Sequence, residues 1–278
     1  MTYNIFEFIK DLHTMKHSQR YSAENSIFIF LSFAVAGGFL EAFTYLLHGG
    51  VFCNAQTGNL VLFTLNLCTG EFSNASRYLF SILAYLFGIL VSAILPTIFK
   101  RKHPYIAVAG FEIIALAAIS FIPKNASDWF TYVSVAFLCA LQYNTFTDCR
   151  GAKLATTFCT NNMRQAVLNL HGGILEKNKS KLRKSGIYTI VIIAFIVGAA
   201  LGGFTAQYLG NYSALVCAIA LLPAFFRILC DEFKSSPRKS LLNNETASSD
   251  PTGNIVSEAD PVQNTAGQNE INSTENKN

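Results

Sequence analysis

Six long segments of the chain are apolar and almost free of charge, and this restricts what the chain can fold into. A helix needs about 20 apolar residues to cross the ~30 Å hydrocarbon layer of a bilayer. Charged residues make up 14% of the chain, against about 25% in a soluble domain. The sequence therefore predicts an all-α integral membrane protein of about six transmembrane helices, at Ser26–Leu47, Tyr78–Phe99, Tyr105–Ile122, Trp129–Thr147, Gly186–Leu209 and Ser213–Leu229.

The segments outside these spans have a different composition. Residues 1–25 include Glu7 and Asp11, and no small-residue cleavage site follows the first span, so no cleavable signal peptide is predicted. Residues 26–230 are predicted to form the transmembrane domain, with halves at about 26–122 and 129–229. Residues 234–278 lack aromatic side chains and are rich in Asn, Ser and Thr, which predicts a disordered tail.

Lysine and arginine are distributed unevenly between the connections. With six spans and a cytoplasmic N-terminus, the basic runs Lys100–Lys102 and Lys177–Lys184 both lie inside, whereas the outer connections receive only Arg77 and Lys124. This is the asymmetry that the positive-inside rule describes. We therefore predict a multi-pass protein of the inner membrane with both termini in the cytoplasm.

Two short polar segments, Val51–Leu67 and Phe158–Leu170, each follow the first span of a half. Thr57–Leu67 aligns without a gap on Thr160–Leu170 at an offset of 160 − 57 = 103, and five of the eleven pairs are identical. Ordinary residue usage gives roughly one match in such a window. The match predicts an internal repeat.

Three spans in each half require the two halves to be inverted in the membrane. Irregular backbone is tolerated at membrane depth only where protein buries it or water lines it. Each polar segment is therefore predicted to be re-entrant, descending as a loop and returning as a half-helix that begins near Thr57 or Thr160. Backbone N–H groups at such helix starts suit a carboxylate, a phosphate or a polar neutral solute.

Polar residues within these segments are the candidates for a site. Glu41 is an acid in the first span, and two readings stay open: it binds a coupling proton or cation, or it makes a structural hydrogen bond. Glu112 is predicted to be structural, glycines 198, 202 and 203 to be packing positions, and His48 to begin a turn. The predicted solute- or ion-binding residues are Glu41, Gln56, Thr57, Asn59, Asn144, Thr160 and Asn162.

The motifs Gly37–Ala42, Gly50–Phe52 and Asn54–Asn59 resemble those of the YoaK-type family of small bacterial integral membrane proteins, a domain-of-unknown-function family. Members usually have Asp at the position of Glu41. They also tend to have a Thr-Gly-Asn in the second half, where this chain has Thr160–Asn162. The resemblance implies a membrane protein and supplies no reaction or substrate.

Several classes of protein are not expected. The seven cysteines form no Cys-x-x-Cys pair, so no metal site or disulfide is predicted. The net charge of +4 is accounted for by membrane orientation and does not indicate nucleic acid. No catalytic or nucleotide-binding motif is visible, so neither an enzyme nor a cofactor is predicted.

The partners expected are therefore the bilayer, a small polar or anionic solute and a second copy of the chain. The leading hypothesis is a channel or secondary transporter. The alternative is a non-transporting membrane scaffold or assembly partner whose polar motifs serve helix packing.

Overall fold

A computed structural model describes residues 25–98, 103–123, 126–157 and 159–247. Residues up to Ser235 form one compact unit, and a second unit is Ser236–Asn278. The helices are α1 Ile27–Leu47, α2 Gln56–Cys68, α3 Phe72–Ile98, α4 His103–Ser120, α5 Trp129–Thr145, α6 Cys159–Leu175, α7 Lys179–Leu209 and α8 Ser213–Ala247. The predicted helical fold class is confirmed.

Two small elements interrupt the helices in the described part of the chain. Strands β1 (Asp148–Cys149) and β2 (Ala152–Lys153) form an antiparallel hairpin between α5 and α6. A 3₁₀ turn, Gly210–Tyr212, separates α7 from α8, and Gly210 has a φ of 55° there. This left-handed conformation suits glycine, which has no Cβ.

Three helical runs are long and apolar enough to cross a membrane: Ile27–Leu47, Phe72–Ile98 and Lys179–Asp231. The third run contains 53 residues. At 1.5 Å per residue a straight helix of that size would extend about 80 Å, more than twice the ~30 Å hydrocarbon layer. It is divided at the 3₁₀ turn. Pro104–Ser120 is a shorter apolar helix.

Some helices are longer than the sequence predicted. α3 begins at Phe72, before the predicted Tyr78, and α7 begins at Lys179, before the predicted Gly186. At α7 the reason is a side-chain cap: Asn178 Oδ1 accepts hydrogen bonds from the backbone N–H groups of Ser180 (3.0 Å) and Lys181 (3.3 Å). A basic segment that hydropathy assigns to a connection is thus helical.

The prediction of a disordered tail over 234–278 differs from the structure at its start. α8 continues to Ala247. Residues 248–278 lie outside the described residues. So does the predicted cytoplasmic segment 1–25, apart from Asn25.

Two helix crossings, α1 with α7 and α3 with α5, are made at glycine residues, which have no side chain. A Cβ built on Gly38 of α1 would lie 2.0 Å from the Phe195 carbonyl oxygen of α7, and a Cβ on Gly198 would lie 2.0 Å from the Val35 carbonyl oxygen. On α3, a Cβ at Gly88 would lie 2.6 Å from the Phe137 carbonyl oxygen of α5. Small residues allow membrane helices to approach this closely.

The burial pattern of α3 shows which side of a helix faces the protein. Its buried face consists of small or polar residues, such as Ser81, Gly88 and Ser92. Large apolar side chains face outward, and Phe87 is 58% exposed. Contiguous exposed apolar surface of this kind is unusual in a soluble monomer, but it is the surface that lipid covers. The main core lies between α1, α4, α5, α7 and α8 and contains Phe30, Phe33, Leu40, Phe43 and Phe146.

Candidate functional site

Glu41, near the middle of α1, holds the loop that leads into α2. One carboxylate oxygen accepts hydrogen bonds from the Asn54 backbone N–H at 2.7 Å and from the Cys53 thiol at 3.1 Å. The other accepts from the Ala55 backbone N–H at 3.1 Å. These amides lie just before α2, where a negative group complements the helix dipole. Of the two readings of Glu41, the structural bond is therefore present, and the residue as a whole is partly buried.

Asn59 and Asn162 make the same pair of hydrogen bonds in the two polar segments. The Asn59 side chain accepts from Phe52 N–H (3.0 Å) and donates to Phe52 C=O (2.6 Å). Asn162 accepts from Ala155 N–H (3.3 Å) and donates to Ala155 C=O (2.6 Å). Both partners lie seven residues upstream, and Phe52 and Ala155 are themselves 103 positions apart. The sequence match thus corresponds to one local structure formed twice.

The loops before α2 and α6 both reach α1 at Gly37. The Asn54 side chain donates to the Gly37 carbonyl oxygen at 3.1 Å. A Cβ on Gly37 would lie 3.2 Å from Thr157 Cγ2 and 3.3 Å from the Thr156 carbonyl oxygen. Glycine at position 37 therefore leaves room for both loops.

The two loops approach this point from opposite ends of α1. The first leaves the C-terminal end of α1 at His48. The second passes the N-terminal end, where the Cys149 thiol lies 3.8 Å from the Asn25 carbonyl oxygen. They meet near the middle of the helix, at Gly37.

We call the polar group at this meeting point the central cluster, comprising Glu41, Asn54, Gln142, Thr156 and Thr157. Gln142, from α5, donates to Phe33 C=O (3.2 Å) and to Thr156 Oγ (3.0 Å). In the described part of the chain, Asn54 Oδ1 and Gln142 Oε1 are buried and accept no hydrogen bond. Buried acceptors are normally satisfied, so the cluster offers two positions for a group that donates hydrogen bonds.

The sequence predicted only part of this cluster. Gln56 lies beside it, donating to Cys53 C=O (2.9 Å) and accepting from Asn59 (2.9 Å). The predicted site did not include Asn54, which lies five residues before Asn59, or Thr157, which lies five residues before Asn162. Gln142 was missed as well, since its partner Phe33 is 109 residues away.

Three predicted site residues point elsewhere. Asn144 donates to Ser92 Oγ at 2.9 Å and so ties α5 to α3. Thr57 and Thr160 are exposed on the outward faces of α2 and α6. The 103-residue offset identifies residues in equivalent positions of the two halves. It does not determine which side of each helix faces the central cluster.

Two further predictions need correction. Glu112 is 1% exposed, yet within the described residues neither of its carboxylate oxygens has a hydrogen-bond partner, so it makes no structural hydrogen bond. Gly198 and Gly202 are packing positions, but a Cβ on Gly203 would meet only Leu46 Cδ1, at an ordinary 3.7 Å.

His48 has a partner that the sequence did not indicate. Its Nδ1 lies 3.0 Å from Asp128 Oδ1, 80 residues away, at the start of α5. The predicted turn follows it, with Gly49 and Gly50 at φ 75° and 68°. Burial lowers the pKa of the imidazole below its usual range, and Asp128 opposes that effect without overcoming it.

We expect the protein to lose stability as the pH falls below about 6.5, the ordinary pKa of histidine. A lowered folded-state pKa means that the unfolded chain binds the proton more readily, so stability is full above that pH and declines below it. Thermal unfolding between about pH 8 and pH 5.5 measures the effect, and His48→Gln is expected to flatten the profile. An unchanged profile in His48→Gln would assign the pH dependence to another group.

No group of three or more His, Cys, Asp or Glu side chains converges in the described ranges, and the cysteines there are free thiols. The helices long and apolar enough to span a membrane, with lipid-type outer surfaces and polar inner contacts, define a helical membrane protein.

The chain belongs to the family described as protein of unknown function DUF1275, whose model matches residues 29–227. YoaK-type proteins are members of that family, so the resemblance in the motifs is confirmed. No curated protein and no solved structure matches the chain.

Proposed function

We propose that the protein is a channel or secondary transporter of the inner membrane that conducts a small polar or anionic solute past the central cluster. The observation that carries the proposal is the meeting of two loops from opposite ends of α1 at Gly37, beside two buried amide oxygens without donors. A transport pathway needs polar groups at the middle of the spans that both sides can reach.

In this proposal α1, α3, α4, α5, α7 and α8 span the membrane, and both termini are cytoplasmic. α2 has 13 residues and α6 has 17. At 1.5 Å per residue they extend about 20 and 26 Å, less than the hydrocarbon thickness, which favours re-entrant half-helices over complete spans. Asn59 and Asn162 each bind the backbone seven residues upstream, and we call this arrangement the asparagine clamp. Its occurrence in both segments supports two inverted halves.

The two helix starts differ in charge, and this bears on the solute. At α2 the amides of Asn54 and Ala55 already bind the Glu41 carboxylate. At the repeat offset the counterpart of Glu41 is Asn144, which is neutral. An anionic solute would therefore bind at the start of α6. A neutral solute with O–H or N–H donors would bind the free amide oxygens of Asn54 and Gln142.

Glu41 supplies a means of coupling transport to protons. A carboxylate accepts stronger hydrogen bonds than a carboxylic acid, so protonation of Glu41 weakens its bonds to the loop amides. The loop before α2 could then move away from α1. A channel would not need this step, whereas a proton-coupled transporter would.

Thiol labelling from each side of the membrane tests the re-entrant arrangement. Cys68, Cys159 and Cys230 are replaced, and the buried cysteines are retained. Single cysteines are then placed at positions 55–60 or 158–163 and exposed to an impermeant reagent. We expect the first set to react only from outside and the second only from the cytoplasm, with reactivity lost toward Asn59 and Asn162. If the labelling of either set of cysteines is that expected for one end of a complete span, the inverted repeat is contradicted and the scaffold alternative is favoured.

Solute flux into proteoliposomes then tests transport itself. A panel of small neutral and anionic solutes is screened with and without a pH gradient. For a solute that enters, Glu41→Gln is expected to abolish the response to the pH gradient, whereas the matched control Glu71→Gln, at an exposed acid between α2 and α3, leaves it unchanged. Equal flux in liposomes with and without protein, across the panel, would reject the transport proposal.

A further inference from the structure

A cavity lies where α1 and α7 end. Its volume is about 560 Å³, within the range of about 300–1,000 Å³ for small-molecule sites. It is separate from the central cluster, because its lining comes from the ends of helices and the connections between them. The lining includes His48, Asp128, Thr131, Gln207, Tyr208 and Tyr212.

The charged and polar groups of this cavity favour a positive ligand. The Asp128 side chain is a carboxylate with 51% of its surface exposed. Among the described residues, no lysine or arginine lines the cavity. His48 is held neutral near pH 7, because burial lowers its pKa. The lining residues that the structure describes therefore carry net negative charge.

Helix ends and aromatic rings act in the same direction. α1 ends at Leu47 and α7 at Leu209, and both residues line the cavity. Helix C-termini carry partial negative charge. Asp128 is the N-cap residue of α5, and its side chain makes no capping hydrogen bond there. Tyr208 and Tyr212 are 72% and 56% exposed, and tyrosine rings attract cations through their faces.

We propose that this cavity is a binding site for a small organic ammonium ion, with Asp128 as the counter-ion and Tyr208 and Tyr212 as aromatic walls. The imidazole of His48 holds the Asp128 carboxylate through the 3.0 Å contact. The site does not depend on the transport function proposed above, since a scaffold with this cavity would bind the same ligand class.

The cavity also has a defined pH response. Protonation of His48 would place a positive charge beside the ligand and weaken its binding. Within the described ranges, the other charged or titratable groups around His48 are Asp128, the Arg77 side chain beside Gly49, and the cavity tyrosines. We therefore expect affinity for the ammonium ion to fall as the pH is lowered below about 6.5.

Binding is tested on the full-length protein in the non-ionic detergent dodecyl maltoside with three probes of matched size: cyclohexylmethylammonium, cyclohexylmethanol and cyclohexanecarboxylate. Isothermal titration calorimetry measures binding of each probe without a reporter residue in the cavity. We expect saturable binding of the ammonium ion at least tenfold tighter than that of the alcohol, and no saturable binding of the carboxylate.

Variants identify the residues responsible. Asp128→Asn is expected to weaken ammonium binding at least tenfold, and the matched control Asp148→Asn, in the β1–β2 hairpin, to leave it unchanged. Tyr208→Ala, at a position that is 72% exposed, is expected to weaken binding several-fold and keeps the test decisive if Asp128→Asn fails to fold. Absence of saturable binding, equal affinity for the alcohol, or full affinity in both Asp128→Asn and Tyr208→Ala would overturn the proposal.

Discussion

Replacing Gly202 by alanine is expected to destabilise the protein by about 3 kcal/mol, the upper part of the usual range for overpacking. A Cβ on Gly202 would lie 2.4 Å from the Phe39 carbonyl oxygen and 2.8 Å from the Phe39 Cα. Both atoms belong to the backbone of α1, so no side-chain rotation relieves the clash. The whole of α1 must move away from α7.

The next residue supplies the control. A Cβ on Gly203 would meet only the end of the Leu46 side chain, at 3.7 Å, and alanine favours helix over glycine by about 1 kcal/mol. Gly203→Ala is therefore expected to be neutral or stabilising. Thermal unfolding in detergent, followed by size-exclusion chromatography of the heated samples, measures both variants. Equal midpoints for Gly202→Ala and Gly203→Ala would show that α1 and α7 do not cross at Gly202.

Asn162→Asp is expected to destabilise the protein by about 2–3 kcal/mol, because it leaves a buried carbonyl without its donor and brings a carboxylate beside it. The Asn162 side-chain amide donates to the Ala155 carbonyl oxygen at 2.6 Å, and the residue is 1% exposed. Aspartate keeps the acceptor for the Ala155 N–H and loses the donor. The loop before α6 would then separate from the helix start.

Asn161→Asp is the matched control, because Asn161 is the exposed neighbour of Asn162 and its substitution makes the same change of charge. It is expected to leave thermal stability unchanged. Asn59→Asp, in the first clamp, is expected to have an effect similar to that of Asn162→Asp, since its donor bonds reach Phe52 C=O and Gln56 Oε1. Similar losses at 59 and 162 would support the equivalence of the two segments. A loss at only one of them would limit the structural role of the clamp to that segment.

The predictions from sequence that were confirmed rest on local constraints. A bilayer requires runs of apolar residues of a fixed length, and this requirement can be read from hydropathy alone. The 103-residue offset identified Asn59 and Asn162, because each makes its bonds within seven residues of its own position. The starts of α2 and α6 were found within one residue of Thr57 and Thr160 for the same reason.

The central cluster depended on packing over long separations. Gln142 reaches Phe33 across 109 residues, and His48 meets Asp128 across 80. No periodicity in the sequence encodes such pairs. At the repeat offset Thr57 matches Thr160 and Asn144 corresponds to Glu41. The rotation of their helices nevertheless turns Thr57 and Asn144 away from the cluster, and a rotation of about 100° per residue is enough to do so.

The sequence by itself determined that this is a helical membrane protein with two matching polar segments, because bilayer thickness and short-range hydrogen bonds act on neighbouring residues. The tertiary structure alone decided which polar groups meet at Gly37, which of two adjacent glycines faces α1, and that His48 and Asp128 share a cavity. Those outcomes depend on how the helices are rotated and how closely they cross, and both are set by side chains far apart in the chain.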